Sequence, residues 1–148
     1  MIKKDSSKVT GMVNVVVRDE ITGAIKQEFT VPNLVVDTGL AYIAGRMKDT
    51  SDAAMTHMAV GTDNTAAAAG NTALGSQLDI QALTSTTVTA NSVAYVATYA
   101  AGTATGALTE AGIFNAASSG TMLCRTVFAV INKGAADSMT VTWTVTIS

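Results

Sequence analysis

Charge is scarce in this sequence: aspartate, glutamate, lysine and arginine make up 14% of its 148 residues, against about a quarter in an ordinary soluble domain. Between Ile80 and Thr109 there is none at all. That stretch is no membrane span, because a transmembrane helix needs about 20 predominantly apolar residues. Thr84, Ser85, Thr86, Thr87, Asn91 and Ser92 break every such window. The single cysteine, Cys124, excludes an internal disulfide and a multi-cysteine metal site. Its setting in TMLCRTVFAVI suits a buried free thiol. Aromatic residues are few, at 5%, while alanine and threonine together supply about a third of the chain. The core is therefore expected to consist of small and branched side chains.

A chain of this length is expected to form one domain with a sizeable core. Nine basic residues against eleven acidic ones leave no stripe for phosphate contacts, so nucleic acid is not an expected partner. A net charge of −2 gives little electrostatic protection against self-association. The surface is expected to be covered in use, and the isolated protein to be oligomeric or sparingly soluble. Lys3, Lys4 and Lys8 cluster in a flexible N-terminal arm spanning residues 1–9. They read either as a solvated tail or as a contact for an acidic partner. No apolar segment follows these lysines, so no signal peptide is expected.

Residues 10–148 read as a single, mainly β domain. TGMVNVVVR (10–18) is β-branched and suits a strand. DEITG then turns the chain into AIKQEFTV, giving a hairpin that Pro32, lacking an N–H, should end. Within NLVVDTGLAYIAGRMK (33–48), Leu40, Ile43, Ala44 and Met47 fall on one helical face, with Asp37 or Thr38 as cap. MTHMAVG reads as a strand, and DNTAAAAGNTALGSQL as a loop. Further strands are expected over 79–89, 92–100, GALTEAGIF, TMLCRTVFAVIN and SMTVTWTVTI. In the last of these, Met139, Val141, Trp143, Val145 and Ile147 alternate with Thr140, Thr142, Thr144 and Thr146. One face is buried and the other is a ladder of hydroxyls. Seven or eight strands with one short helix indicate an antiparallel β-sandwich.

Groups capable of chemistry are nearly absent. His57 is alone among methionines and reads as structural. No serine or cysteine sits in a nucleophile elbow. The DN step of VGTDNT lacks the alternating oxygen ligands and late glutamate of a calcium loop. The glycines of AGTATGALTEAG do not form a phosphate cradle. No catalytic residue, metal or cofactor is therefore expected. Glu110 stands alone after the uncharged stretch, and its charge is expected to be satisfied by backbone N–H groups or by Arg125. Facing each other on neighbouring strands, the two would make a buried ion pair that pins register.

HMAVGTDNTAAAAGNTALGSQL, VAYVATYAAGTATGALTEAGIFN and TMLCRTVFAVINKGAADSMTVTWTVTI occur in an order that resembles a group of small tailed-bacteriophage virion proteins. The landmarks are VGT…G-T-AL…L, Y-A-T-Y…G…T-EAGIF, ML-RT-F and a closing VTWTVT, covering the chain from about Pro32 onward. The resemblance implies a β-sandwich of jelly-roll kind that works as an oligomer without catalytic residues. Its first implication is a capsid decoration (cement) protein, made in the host cytoplasm. Such a protein binds the major capsid protein and copies of itself, as dimer or trimer, on the capsid exterior. The alternative is a tail-fibre or tail-tip module for host attachment.

Overall fold

The alternation along the closing strand demands one buried face, and two stacked sheets supply it. The computed structural model describes residues 7–48 and 52–148. In chain order its elements are β1 (Val9–Asp19), β2 (Ile25–Pro32), β3 (Leu34–Val35), α1 (Asp37–Met47), β4 (His57–Gly61) and β5 (Gln77–Ala82), then β6 (Ser85–Thr89), β7 (Ser92–Tyr99), β8 (Gly106–Phe114), β9 (Met122–Lys133) and β10 (Asp137–Ile147). One sheet has the order β2-β1-β10-β7-β6, the other β3-β9-β8-β4-β5. All pairings are antiparallel. The protein is a β-sandwich with one short helix. Hairpins β1–β2, β6–β7 and β8–β9 each stay within one sheet.

The core lies between the sheets. Val13, Val15 and Val17 of β1, Met139, Val141, Trp143 and Val145 of β10, and Tyr95, Ala97 and Tyr99 of β7 form one wall. Met58, Val60, Leu108, Ala111, Ile113, Cys124, Phe128 and Ile131 form the other. The Tyr99 hydroxyl crosses the gap and donates to the Met58 carbonyl at 2.6 Å. Burial pushes the Tyr99 phenol far up and the Tyr95 phenol up to about 12. The same cause raises the Cys124 thiol, which is free and fully buried. It is chemically quiet.

Several expectations change. The stretch read as one strand, 79–89, is two strands in different sheets, β5 and β6, and the chain switches sheets at Leu83 and Thr84. The other addition is the two-residue β3, which makes ten strands among the described residues. Pro32 ends β2, and the following residues cross to the second sheet to pair with β9. The helix is capped by Val36, not by Asp37 or Thr38. Thr38 is drawn away because its hydroxyl donates to the Met122 carbonyl at 2.8 Å. Nor does the face through Leu40 and Met47 meet the core: those residues are 46% and 85% exposed. The helix docks instead through Gly39, where a side-chain carbon would collide with the Leu123 carbonyl. Tyr42 and Ile43 follow it onto the core. A glycine allows an approach that no apolar stripe advertises.

At the N-terminus the boundary of the arm moves. Val9 opens β1 opposite Ile147, and Lys8 exchanges backbone hydrogen bonds with Ser148 at 2.6 and 2.8 Å. Residues 8 and 9 thus belong to the sandwich, while Lys3 and Lys4 lie outside the described residues.

Candidate functional site

Sheet order places Glu110 on β8 and Arg125 on the adjacent β9, both facing away from the central core. Neither faces water. A long loop, residues 62–76, lies over this side of the sheet and covers a second small core of Val36, Ala59, Leu74, Phe114 and Met122. Glu110 is fully buried and Arg125 is 2% exposed. Arg125 Nη2 and Nε donate to Glu110 Oε2 at 2.9 and 3.1 Å. The rest of the carboxylate belongs to the loop. Ser76 and Gly75 N–H groups donate to it at 2.7 and 2.9 Å, and Asp63 N–H at 3.3 Å. On its far side the guanidinium donates to Asn71 Oδ1 at 3.1 Å and lies 3.8 Å from Asp63 Oδ2.

Two buried charges that satisfy each other and five further polar groups make a clasp for the loop. Gly61 is required beside it, because a side-chain carbon there would strike Ser76 and Glu110. Asp63, Asn71, Gly75 and Ser76 were legible in the sequence only as loop residues. Their partners are 34 to 62 positions away along the chain, a separation that no local pattern reveals. The carboxylate is fully buried and its contacts are all internal, an arrangement that ties the loop to the sheet.

A second polar cluster ties the opposite end. Lys133, buried on β9, donates to the carbonyls of Asp137 and Ala100 at 2.7 and 3.1 Å. The Asp137 carboxylate accepts from Lys26 at 2.8 Å and from Gly134 N–H at 2.8 Å. Those two bonds hold the Asp137 carboxyl below its usual range. Asp63 and Asp19 are lowered as well, chiefly by the N–H groups of Thr65 and Thr22 respectively. The unfolded chain therefore binds protons more tightly at these three carboxylates. Their stabilisation is present above the ordinary carboxylate value and disappears as pH falls through the folded values. Burial lowers Lys133, which acts at the alkaline end: stability rises with pH as the folded lysine loses its proton while the unfolded one keeps it, and levels off at the ordinary lysine value. A melting-temperature profile should fall below about pH 4. Asp137→Asn should melt lower than the parent at neutral pH, with the gap closing in acid. An unchanged gap would show that the carboxylate's charge is not what matters.

The outward face of the first sheet carries a broad uncharged surface. Register places Pro32, Met12, Thr144, Ala94 and Thr87 in one row across all five strands. Thr30, Asn14, Thr142, Val96 and Ser85 form the next. Neither row contains an ionisable group. Charge returns at the ends of the face, with Arg18, Lys26 and Glu28 toward the β1–β2 turn and Lys8 at the other end. The four threonines of β10 lie along the middle of this face, half-buried by their neighbours.

His57 lies on β4, its Nδ1 2.8 Å from the Thr56 hydroxyl. Among the described residues no cluster of histidine, cysteine and carboxylates could hold a metal ion, and no helix is long and apolar enough to cross a membrane. Lys8 is exposed at the sandwich end where the two termini pair. No protein-family model matches the chain, and neither a curated protein nor a solved structure is significantly similar to it.

Proposed function

We propose that this protein is a non-enzymatic structural component of a phage virion that decorates the head, binding the outer surface of the major capsid protein shell. The observation that carries this reading is the uncharged, hydroxyl-lined face of the β2-β1-β10-β7-β6 sheet. A decoration protein needs contact area on a partner more than chemistry, and hydroxyls can be buried against a partner at far smaller cost than charges. Lys8, with Lys3 and Lys4, is the proposed contact for an acidic patch on the shell, a contact that salt should weaken. Copies of the chain on a symmetric shell would add weak contacts together.

A tail-fibre or tail-tip module is the second reading. Attachment modules that stack sugars need exposed aromatic rings, whereas Tyr95, Tyr99, Phe128 and Trp143 are all buried here. That ranks the head first.

Particles carrying the protein should show it spread over the head in a fixed ratio to the coat protein. A handful of copies confined to the tail would transfer the proposal to host attachment. On the molecular side, Thr142→Lys should fold normally, since Thr142 points outward. The variant should bind undecorated particles roughly 30- to 100-fold more weakly, because an unpaired ammonium is then buried in the contact. Co-sedimentation measures this, and unchanged binding would move the contact to another face.

A further inference from the structure

The two edges of the first sheet are unlike each other. β2 carries Lys26, Glu28 and a terminal proline, and a bulge interrupts its pairing with β1. Each of these devices discourages a further strand from adding. β6 carries none of them. Its sequence is STTVT, all five residues are exposed, and among the described residues nothing pairs with its far side. Val88 is 70% exposed, on the same side of the sheet as its neighbour Val93. Val93 in turn lines a mainly apolar cavity with Tyr42, Tyr95 and Val145. The edge is also held rigidly. β6 and β7 meet through a two-residue loop in which Ala90 has φ +52°, the sign that tight hairpin loops require. Asn91 fastens this loop to β10, its side chain donating to the Ile147 carbonyl at 2.6 Å.

We propose that β6 is a self-association edge: two copies pair their β6 strands antiparallel and form one continuous ten-stranded sheet. A two-fold axis normal to the sheet preserves its faces only if some residue lies opposite itself. Placing Thr87 on the axis pairs all five residues, with Thr86 opposite Val88 and Ser85 opposite Thr89. Every cross-strand pair is then uncharged, mostly β-branched, and free of like-charge opposition. The occupant is a second copy because this match is built into the strand itself. The blocked edge at β2 closes the assembly as a dimer and prevents open filaments. Five residues of pairing fall short of the roughly 1,000 Å² that a stable interface needs, so the dimer is weak in free solution. It strengthens where copies are held side by side. The pairing deepens the decoration reading and also extends its uncharged face, but its test does not need a particle.

The test is Thr87→Cys in the full chain, oxidised under mild conditions and compared with Thr22→Cys in the exposed β1–β2 turn. Cys124, fully buried, stays out of the reaction. Directly opposed strand residues lie within disulfide reach, so Thr87→Cys should form covalent homodimer about tenfold faster than the control. By sedimentation at high protein concentration, Thr87→Lys should weaken dimerisation about tenfold, through two like charges opposed on the axis. Cross-linking no faster at position 87 than at 22 overturns the proposal, as does association indifferent to the lysine. A cross-link found only to a thiol of another virion protein also overturns it, and gives the edge to that partner.

Discussion

Glu110→Ala should destabilise the protein by about 3–5 kcal/mol, the cost of stranding one member of a buried ion pair. For a chain of this size that is a fall in melting temperature of roughly 10–15 °C. Four groups lose their acceptor together: the Arg125 guanidinium and the N–H groups of Asp63, Gly75 and Ser76. Glu110→Gln should do nearly as badly, since it leaves the guanidinium without a countercharge and turns an NH2 toward groups that are themselves donors. Replacing both partners, as in Glu110→Met with Arg125→Met, should recover much of the loss, because no charge is then left buried. Urea unfolding followed by circular dichroism gives the stabilities. Limited proteolysis within residues 62–76 tells a local release of the loop from global unfolding. A Glu110→Ala protein within about 1 kcal/mol of the parent, the scale of an ordinary hydrogen bond, would mean that the loop is held by its apolar residues and not by the clasp.

The clasp also bears on the resemblance to phage virion proteins. VGT contains Gly61, and G-T-AL contains Leu74, which packs on the second small core. T-EAGIF supplies Glu110, Gly112 and Phe114, and ML-RT-F supplies Met122 and Arg125. These segments carry the loop, its anchor and the core beneath it. They close the sandwich on one side, whereas the landmarks Y-A-T-Y and VTWTVT fall on β7 and β10. The surface proposed to meet a partner lies on the sheet that holds those two strands.

Legibility followed the kind of interaction. Strands whose two faces meet different surroundings were plain: β1 and β10 alternate in burial so regularly that their spans could be read almost directly. The uncharged run from Ile80 to Thr109 announced the part of the outward face carried by β6 and β7, and the threonine alternation announced the part carried by β10. Two things were hidden. The change of sheet at Leu83 and Thr84 has no glycine or proline to mark it, because each half is a good strand on its own. The docking of the helix through Gly39 was misread because the apolar stripe at Leu40 and Met47 had the right spacing. A close backbone approach, not a stripe, decided that contact. For Glu110 and Arg125 the pair itself could be suggested from isolation and strand spacing, whereas Asn71, Gly75 and Ser76 depended on a loop whose path only the fold determines.

The other large effect is expected at Trp143. This side chain is fully buried in β10, between Val13 of β1 and Tyr95 of β7 in the register of the sheet. Trp143→Ala should cost about 3–5 kcal/mol, the loss typical of a large aromatic cut from a packed core. Trp143→Phe should cost much less than its change in volume suggests. The indole N–H is buried without an acceptor among the described residues, a group worth about 1–3 kcal/mol of desolvation. Phenylalanine removes it together with part of the ring, so the two changes offset each other. Urea titration by circular dichroism measures both variants, since Trp143 is the sole tryptophan and fluorescence is lost with it. Equal losses for Phe and Ala would show that the indole N–H is bonded in solution and contributes to stability. Trp143 also backs the proposed contact surface, because Thr142 and Thr144 project from the same strand to the other side. A weaker Phe variant that still folds should therefore bind particles as the parent does. An Ala variant should lose binding only where it loses the fold, separating the residues that make the face from those that support it.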